Sequence, residues 1–397
     1  MIKPIMRIFI LLSRIPYPLE KGDKLRAFHQ IKELSRNNEI ILCALNPVSH
    51  IDKQKAFSSL QPYCRSINFL DLPLYGRLVN VVRAFFSSLP LQSGYFYNYR
   101  AAGEIRRLIK EYKPDHIYCQ LIRTAEYVKN IPVRKTIDYQ DVFSYGMKRR
   151  IAKSNFFFRP FIKLEFNRLS NYEAHVFDLF DHHTIISVPD RDLIPHVDRH
   201  RIKVVLNGVD HEFFKPRQTR KKTDVVFTGN MAYPPNVDAA CFLAKEIMPL
   251  VWKSNPEVTL LLAGASPDHR VTALKSDRVK VSGWMDDIRE AYATSRVFIA
   301  PMRLGTGLQN KLLEAMAMKL PTITTALANN ALNAVENVEI LIGEDAPALA
   351  VHILNLLNDH DLCKLIAENG HQFVLHNYNW REATRQLEEL IHSDPTL

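Results

Sequence analysis

Residues 300–318, APMRLGTGLQNKLLEAMAM, hold the densest set of groups suited to chemistry. A strand ending at Ala300 leads through Arg303 into Gly305-Thr306-Gly307. A helix then begins near Leu308 or Gln309 and carries Asn310, Lys311 and Glu314. Glycines let the backbone approach a ligand closely. A helix start offers unpaired N–H groups and a partial positive charge. Arg303 and Lys311 add two cations, so the set suits a diphosphate. Glu314, one turn past Lys311, can accept hydrogen bonds from two neighbouring hydroxyls, as on a ribose. The alternative is a surface ion pair between Lys311 and Glu314 beside a plain glycine turn. A Walker loop is excluded, because Asn310 stands where its second glycine is required. No G-x-G-x-x-G follows the first strand either.

The elements around this segment alternate strand and helix. Short apolar runs at 7–12, 39–45, 66–70, 116–119, 135–137, 183–187 and 203–206 read as strands. Leu25, Phe28, Ile31 and Leu34 share one face of a helix over 24–35. The pattern restarts after the charged stretch 215–222. Strands are expected at 225–227, 259–263, 279–282, 297–300 and 322–325, with helices at 237–254, 287–294, 310–318 and 381–392. Such alternation means parallel sheets built from βαβ units, here begun twice. In these sheets ligands bind beyond the carboxyl ends of strands. Gln120 and Arg123 follow such an end and are open to either site or loop duty.

At 397 residues the chain holds two large domains rather than one. Its 47% hydrophobic and 24% charged content excludes disorder, collagen and coiled coil as the main state. The net charge of +10 favours anionic partners. Two windows, 77–113 and 145–175, each hold seven basic residues and two acids, and so account for the whole excess. Both are also aromatic, with Phe85, Phe86, Tyr95, Phe96, Tyr97 and Tyr99 in the first, and Phe156, Phe157, Phe158, Phe161 and Phe166 in the second. That combination suits an anionic membrane surface. Solvated charges over core rings are the alternative, and nucleic acid is disfavoured. Five widely spaced cysteines without C-x-x-C point to a reducing compartment. The apolar run at 8–12 is too short for a secretory segment and reads as a buried strand. His196 and His200 lack further ligands, so no metal site is expected.

Several spaced motifs in order make the chain recognisable. They are Asn207-Gly208-Val209-Asp210, Phe227-Thr228-Gly229-Asn230-Met231, Pro235-Asn236, Gly264, Gly283-Trp284, the 300–318 segment and Pro321. Together they resemble the group 1 family of retaining glycosyltransferases, glycogen-synthase-like enzymes of GT-B architecture. The resemblance implies an α/β fold, with two Rossmann-like doubly wound domains facing each other across a cleft. Residues 1–206 would form the acceptor domain, 207–222 the hinge and 223–375 the nucleotide-sugar domain. A C-terminal helix over 376–397 can return to the N-terminal domain.

By the resemblance, the donor contacts are Gly229, Asn230, Arg303, Gly305, Thr306, Gly307, Leu308, Gln309, Asn310, Lys311 and Glu314. Glu314 matches the second of the family's paired glutamates, whereas Thr306 replaces the first. Gly22, Asp23 and Lys24 match the glycine loop after strand one, with Asp23 as a helix cap the alternative. Gln120 and Arg123 join them on the acceptor or diphosphate side. Asp138 and Asp141 stand where many members have a histidine. Either would polarise the acceptor hydroxyl, and helix capping is the alternative.

The expected activity is metal-independent hexosyl transfer from a nucleoside-diphosphate sugar to a glycan or lipid-linked acceptor, with retention. The nucleotide-sugar is a substrate, and no cofactor is implied. Surface polysaccharide or glycolipid synthesis is the implied pathway. The implied location is cytoplasmic and peripheral on the inner face of the plasma membrane. A nucleotide-sugar epimerase on the same fold is one alternative. A non-enzymatic basic peripheral membrane protein with a degenerate nucleotide site is the other, kept open by Thr306.

Overall fold

The computed structural model describes residues 5–19, 21–48, 51–305 and 307–394. It divides into two compact units, 1–206 with 380–397, and 207–379. The first is built on β1 (Arg7–Leu12), β2 (Glu39–Asn46), β3 (Ser66–Asp71), β4 (His116–Gln120), β5 (Lys135–Asp138), β6 (His182–Ile185) and β7 (Lys203–Val204). These form one parallel sheet in the order β3-β2-β1-β4-β5-β6-β7. Successive side chains of a strand point to opposite faces. Phe9 and Leu11 therefore join Ile41, Cys43 and Leu45 in one apolar cluster, while Ile8, Ile10 and Leu12 join Ile40, Leu42 and Ala44 in another. Both faces are buried, which explains why the strands read as unbroken apolar runs.

Helix Gly22–Leu34 covers the second face with Ala27, Ile31 and Leu34. Beside it lies the last helix, Trp380–His392, which sets Ala383, Leu387 and Ile391 on the same face at one-turn spacing. The Trp380 and His29 rings stack at 4.9 Å. Glu388 accepts from Asn38 Nδ2 at 2.6 Å.

The second unit contains β8 (Thr223–Thr228), β9 (Leu260–Ala263), β10 (Val279–Val281), β11 (Ser295–Ala300), β12 (Thr322–Thr324) and β13 (Leu341–Ile342). All pair in parallel, in the order β10-β9-β8-β11-β12-β13. Residues 207–222 cluster with this unit. In each sheet the strand order reverses once, between β1 and β4 and between β8 and β11. That reversal leaves a crevice beyond the strand ends, where doubly wound sheets bind ligands. The two reversals position the residues discussed next.

Several elements differ from the sequence-based expectation. β13 is only two residues long and was not anticipated. The helix expected over 237–254 consists of Pro234–Phe242, a wider turn over Leu243–Ile247 and Met248–Ser254. Helices Leu74–Phe85, Leu91–Phe96 and Tyr99–Tyr112 fill a region with no assigned element.

Candidate functional site

At the reversal of the second sheet, β8 ends at Thr228 and β11 at Ala300. Gly229 follows β8 and Gly264 follows β9, and their backbones touch. A Cβ on Gly264 would lie 1.9 Å from the Gly229 carbonyl oxygen, and its φ is +141°. A Cβ on Gly229 would meet Asn236 Nδ2 at 2.7 Å. The two glycines let the strand ends converge. Gly264→Ala should destabilise the second unit by roughly 2–6 kcal/mol through clash and backbone strain. An unchanged urea midpoint would refute this. Asn236 Nδ2 donates to the Asn230 carbonyl at 2.9 Å, and the Asn230 side chain accepts from Ala232 N. Asn230 thus shapes the turn itself.

Beyond β11, Gly305 has φ +95°, open to a glycine without strain. Thr306 lies outside the described residues. Helix Asn310–Ala317 starts at Gln309, whose side chain makes no capping hydrogen bond. Instead Gln309 Nε2 donates to the Gly307 carbonyl at 2.8 Å, and Gln309 Oε1 accepts from Lys311 Nζ at 2.8 Å. Gln309 therefore ties the loop to the helix and leaves the first-turn amides without a side-chain cap, as an anion site requires. Asn310 Oδ1 lies 3.5 Å from Asn207 Nδ2. Leu308 is half-buried beside them.

Lys311 Nζ lies 5.8 Å from the centre of the Phe227 ring. Burial pushes its pKa down to about 8, and the nearby Glu314 charge opposes the fall. Burial pushes the Glu314 carboxyl up, opposed by the Tyr292 hydrogen bond and by Lys311. Tyr292 Oη donates to Glu314 Oε2 at 2.7 Å and lies 2.7 Å from Thr228 Oγ1. The tyrosine proton points at the carboxylate, so Thr228 is the donor of the second bond. Among the described residues, no group donates to Glu314 Oε1. The carboxylate and the ammonium are both pushed toward neutrality, a perturbation that clusters at functional sites and also occurs in structural ion-pair networks. Tyr292 and Thr228 were absent from the sequence-based site. Thr228 belongs to the 227–231 motif, whereas Tyr292 carries no local signal, because its partners stand 64 and 22 positions away in the chain.

Arg303 does not join this group. Its guanidinium forms a two-bond pair with Asp238 at 3.0 and 3.1 Å, lies 3.6 Å from Glu246 and covers the Phe242 ring. Its charge is matched there, and a diphosphate would have to compete with these two carboxylates for it.

In the first unit, Asp138 is fully buried at the end of β5. Its carboxylate accepts from Arg26 Nε at 2.6 Å and Nη2 at 3.2 Å, from Tyr118 Oη at 2.9 Å and from Thr184 Oγ1 at 2.9 Å. Four donors saturate it inside the core, so the expectation of a catalytic Asp138 is replaced by a structural ion pair. Asp141 is exposed, and one of its oxygens accepts from Val142 N.

Around the reversal of the first sheet, Gly22 opens helix Gly22–Leu34. Asp23 lies in its first turn and accepts from Arg14 Nη1 at 3.1 Å, while Lys21 holds the cap position. Lys24 Nζ donates to the Tyr17 carbonyl at 3.1 Å. Arg123 lies between the Phe96 and Phe143 rings, at 4.8 and 4.6 Å, and donates to Gln92. Burial lowers its pKa to about 10, with Arg14, Asp23 and Asp141 close enough to act on it. Arg123 Nε and Gln120 Nε2 are buried without an acceptor. Asp23, Arg123 and Asp141 thus follow the neighbouring strands β1, β4 and β5, and both carboxylates act electrostatically on Arg123.

Known proteins share this architecture. The family described as "Glycosyl transferases group 1" matches residues 222–359. An uncharacterised 44.6 kDa protein of the cps region of Klebsiella pneumoniae is 21% identical, covering 94% of this chain and 96% of its own. A TarM variant of S. aureus, solved with fondaparinux, alpha-GlcNAc-glycerol and UDP, has a TM-score of 0.71 at 11% identity, covering 98% and 100% of the two chains. HepE of Anabaena, solved with UDP and glucose, has a TM-score of 0.69 at 14% identity, covering 98% and 100%. With its glycine-bordered site on a doubly wound sheet, the second unit carries the match to the group 1 glycosyl transferases over residues 222–359, and the chain as a whole has the GT-B fold.

Proposed function

We propose that the protein transfers a sugar from a nucleoside-diphosphate sugar to an acceptor hydroxyl with retention at the anomeric carbon. The observation that carries this reading is the Thr228–Tyr292–Glu314 chain beside Lys311 at the uncapped helix start. Glu314 Oε1, which has no donor among the described residues, accepts from ribose hydroxyls. Lys311 and the first-turn amides hold the diphosphate. As the bond from the anomeric carbon to the diphosphate breaks, charge grows on the leaving oxygen, where the helix start and Lys311 stabilise it. The acceptor oxygen forms the new bond on the same face, and its proton passes to the leaving phosphate oxygen. Asp141 and Arg123 are the groups the first unit offers to the acceptor. The cps-region relative supports a role in surface polysaccharide or glycolipid assembly.

A thermal-shift series with UDP, GDP, ADP, CMP and dTDP tests the donor site. UDP comes first, because the HepE and TarM structures contain it. A ligand at about 100 times its dissociation constant adds roughly 2.7 kcal/mol of stability. No shift with any nucleotide would overturn the donor reading.

The depressed Lys311 predicts a pH signature. The side chain is charged below about pH 8 and neutral above it. In the free protein its depressed value adds stability as pH rises from about 8, and that stability is lost as pH falls back through it. A diphosphate favours the charged form, so binding raises the pKa and draws in a proton. Titration calorimetry at about pH 8.5 in two buffers of different ionisation enthalpy should show this uptake. Affinity should fall as pH rises further. Uptake that persists in Lys311→Met would assign the proton elsewhere.

A further inference from the structure

Half of the exposed large apolar side chains of the described residues lie in two segments of the first unit. Of 24 such residues, 12 fall within 74–99 and 156–164. Helix Leu74–Phe85 shows how they are organised. At about 100° per residue, Leu74, Tyr75, Leu78, Val82, Phe85 and the capping Phe86 occupy one arc of about 120°. All six are exposed, Tyr75 by 81% and Phe86 by 83%. Arg77 and Arg83 flank this arc on opposite sides. Asn80 and Ala84, on the remaining face, are buried against the body of the unit. The helix is thus amphipathic in the inverted sense, with its apolar face turned to solvent.

The second segment joins this face. Arg168, on helix Arg159–Leu179, donates to the Ala84 and Phe85 carbonyls at 3.1 and 2.9 Å. Glu165 of the same helix accepts from Leu91 N and Gln92 N. These bonds, made from Glu165 and Arg168, hold the first half of the long helix beside the end of the exposed one. Phe156, Phe157, Phe158, Phe161 and Leu164, all exposed, therefore extend the patch.

Within the two segments the charge has one sign, and the nearest preceding acid, Asp71, is paired with Lys53. No Asp or Glu occurs in 72–103, which holds Arg77, Arg83 and Arg100, or in 142–164, which holds six basic residues. Glu165, just beyond, is buried and turned inward to backbone amides. Exposed rings bordered by cations, without interspersed carboxylates, complement the negative surface and apolar interior of a bilayer. Among the described residues, no helix is long and apolar enough to cross a membrane.

We infer that the face formed by helix Leu74–Phe85 and residues 156–164 docks onto an anionic lipid surface. The apolar arc enters the headgroup boundary, and Arg83, Arg159 and Lys163 lie along the phosphates. The face lies wholly in the first unit and does not depend on the donor reading.

Cosedimentation of the full chain with phosphatidylglycerol–phosphatidylcholine vesicles, and with phosphatidylcholine vesicles alone, tests this. The chain should partition onto the anionic vesicles and lose most of that binding in high salt. Arg83→Gln with Lys163→Gln should cut partitioning roughly 25-fold, at about fivefold per charge. Phe157→Ser with Phe158→Ser should cut it at least about tenfold. Melting temperatures and nucleotide response should stay those of the parent in both variants, which separates this inference from the donor reading. Three results would overturn it: equal or absent binding to both vesicle types, binding of a single-stranded oligonucleotide without vesicle binding, or a dimer in light scattering that the phenylalanine variant abolishes with vesicle binding unchanged.

Discussion

Glu314→Ala should weaken nucleotide binding by roughly 10- to 100-fold. The estimate follows from the bonds removed, since a hydrogen bond to a charged group contributes about 1.5–3 kcal/mol. In the proposed complex, ribose hydroxyls donate to the carboxylate that Tyr292 already orients at 2.7 Å. Alanine deletes the acceptor and leaves the buried Tyr292 hydroxyl with Thr228 alone. Some loss of stability is therefore expected alongside the binding loss. Glu314→Gln separates the two effects. Its amide oxygen still accepts from Tyr292, so the fold is kept while the charge-assisted contact is weakened. Glu336, exposed outside this group, provides the control. Glu336→Ala should change neither binding nor melting. Titration calorimetry with the nucleotide chosen by thermal shift reads the result, and equal affinity in Glu314→Ala and the parent would end the ribose assignment.

Asp138→Ala is the second large effect, and it falls on stability rather than chemistry. The substitution leaves Arg26 charged, fully buried and stripped of its two-bond partner. Breaking a buried pair from one side costs about 3–5 kcal/mol, because an uncompensated charge remains. Tyr118 and Thr184 lose an acceptor in the same step. Urea unfolding followed by hydrogen exchange at β1, β4 and β5 should show the loss in the first unit. Replacing both partners, Arg26→Met with Asp138→Leu, should recover much of it, since a packed apolar pair avoids charge burial. The catalytic reading predicts the opposite pattern for Asp138→Ala: an unchanged unfolding midpoint and abolished transfer. That outcome would return Asp138 to the chemistry.

These two aspartate and glutamate sites show what was legible beforehand. Lys311 and Glu314 could be paired from sequence because one helix turn brings them together after a glycine loop. The doubly wound sheets were legible because both faces of each are covered, which leaves near-continuous apolar strands. β13 escaped because two residues carry no periodicity. Helix Leu74–Phe85 escaped because its apolar arc faces solvent rather than core, so its periodicity had no neighbouring element to suggest a purpose.

Sequence alone determined the two α/β units, the glycine loop and the local set Gln309, Lys311 and Glu314, since short spacing on a regular element fixes which side chains meet. Tertiary structure decided the partners of nearly every other charged or polar group. Arg26 meets Asp138 across 112 positions, Arg303 meets Asp238 across 65, and Thr228 meets Tyr292 across 64. Each pairing follows from strand order, which sets β1, β4 and β5 side by side, and β8 beside β11, however far apart they stand in the chain. Two aspartates three residues apart, Asp138 and Asp141, have the same side-chain chemistry. The structure buries one under four donors and leaves the other in solvent, because only one carboxylate lies within reach of Arg26.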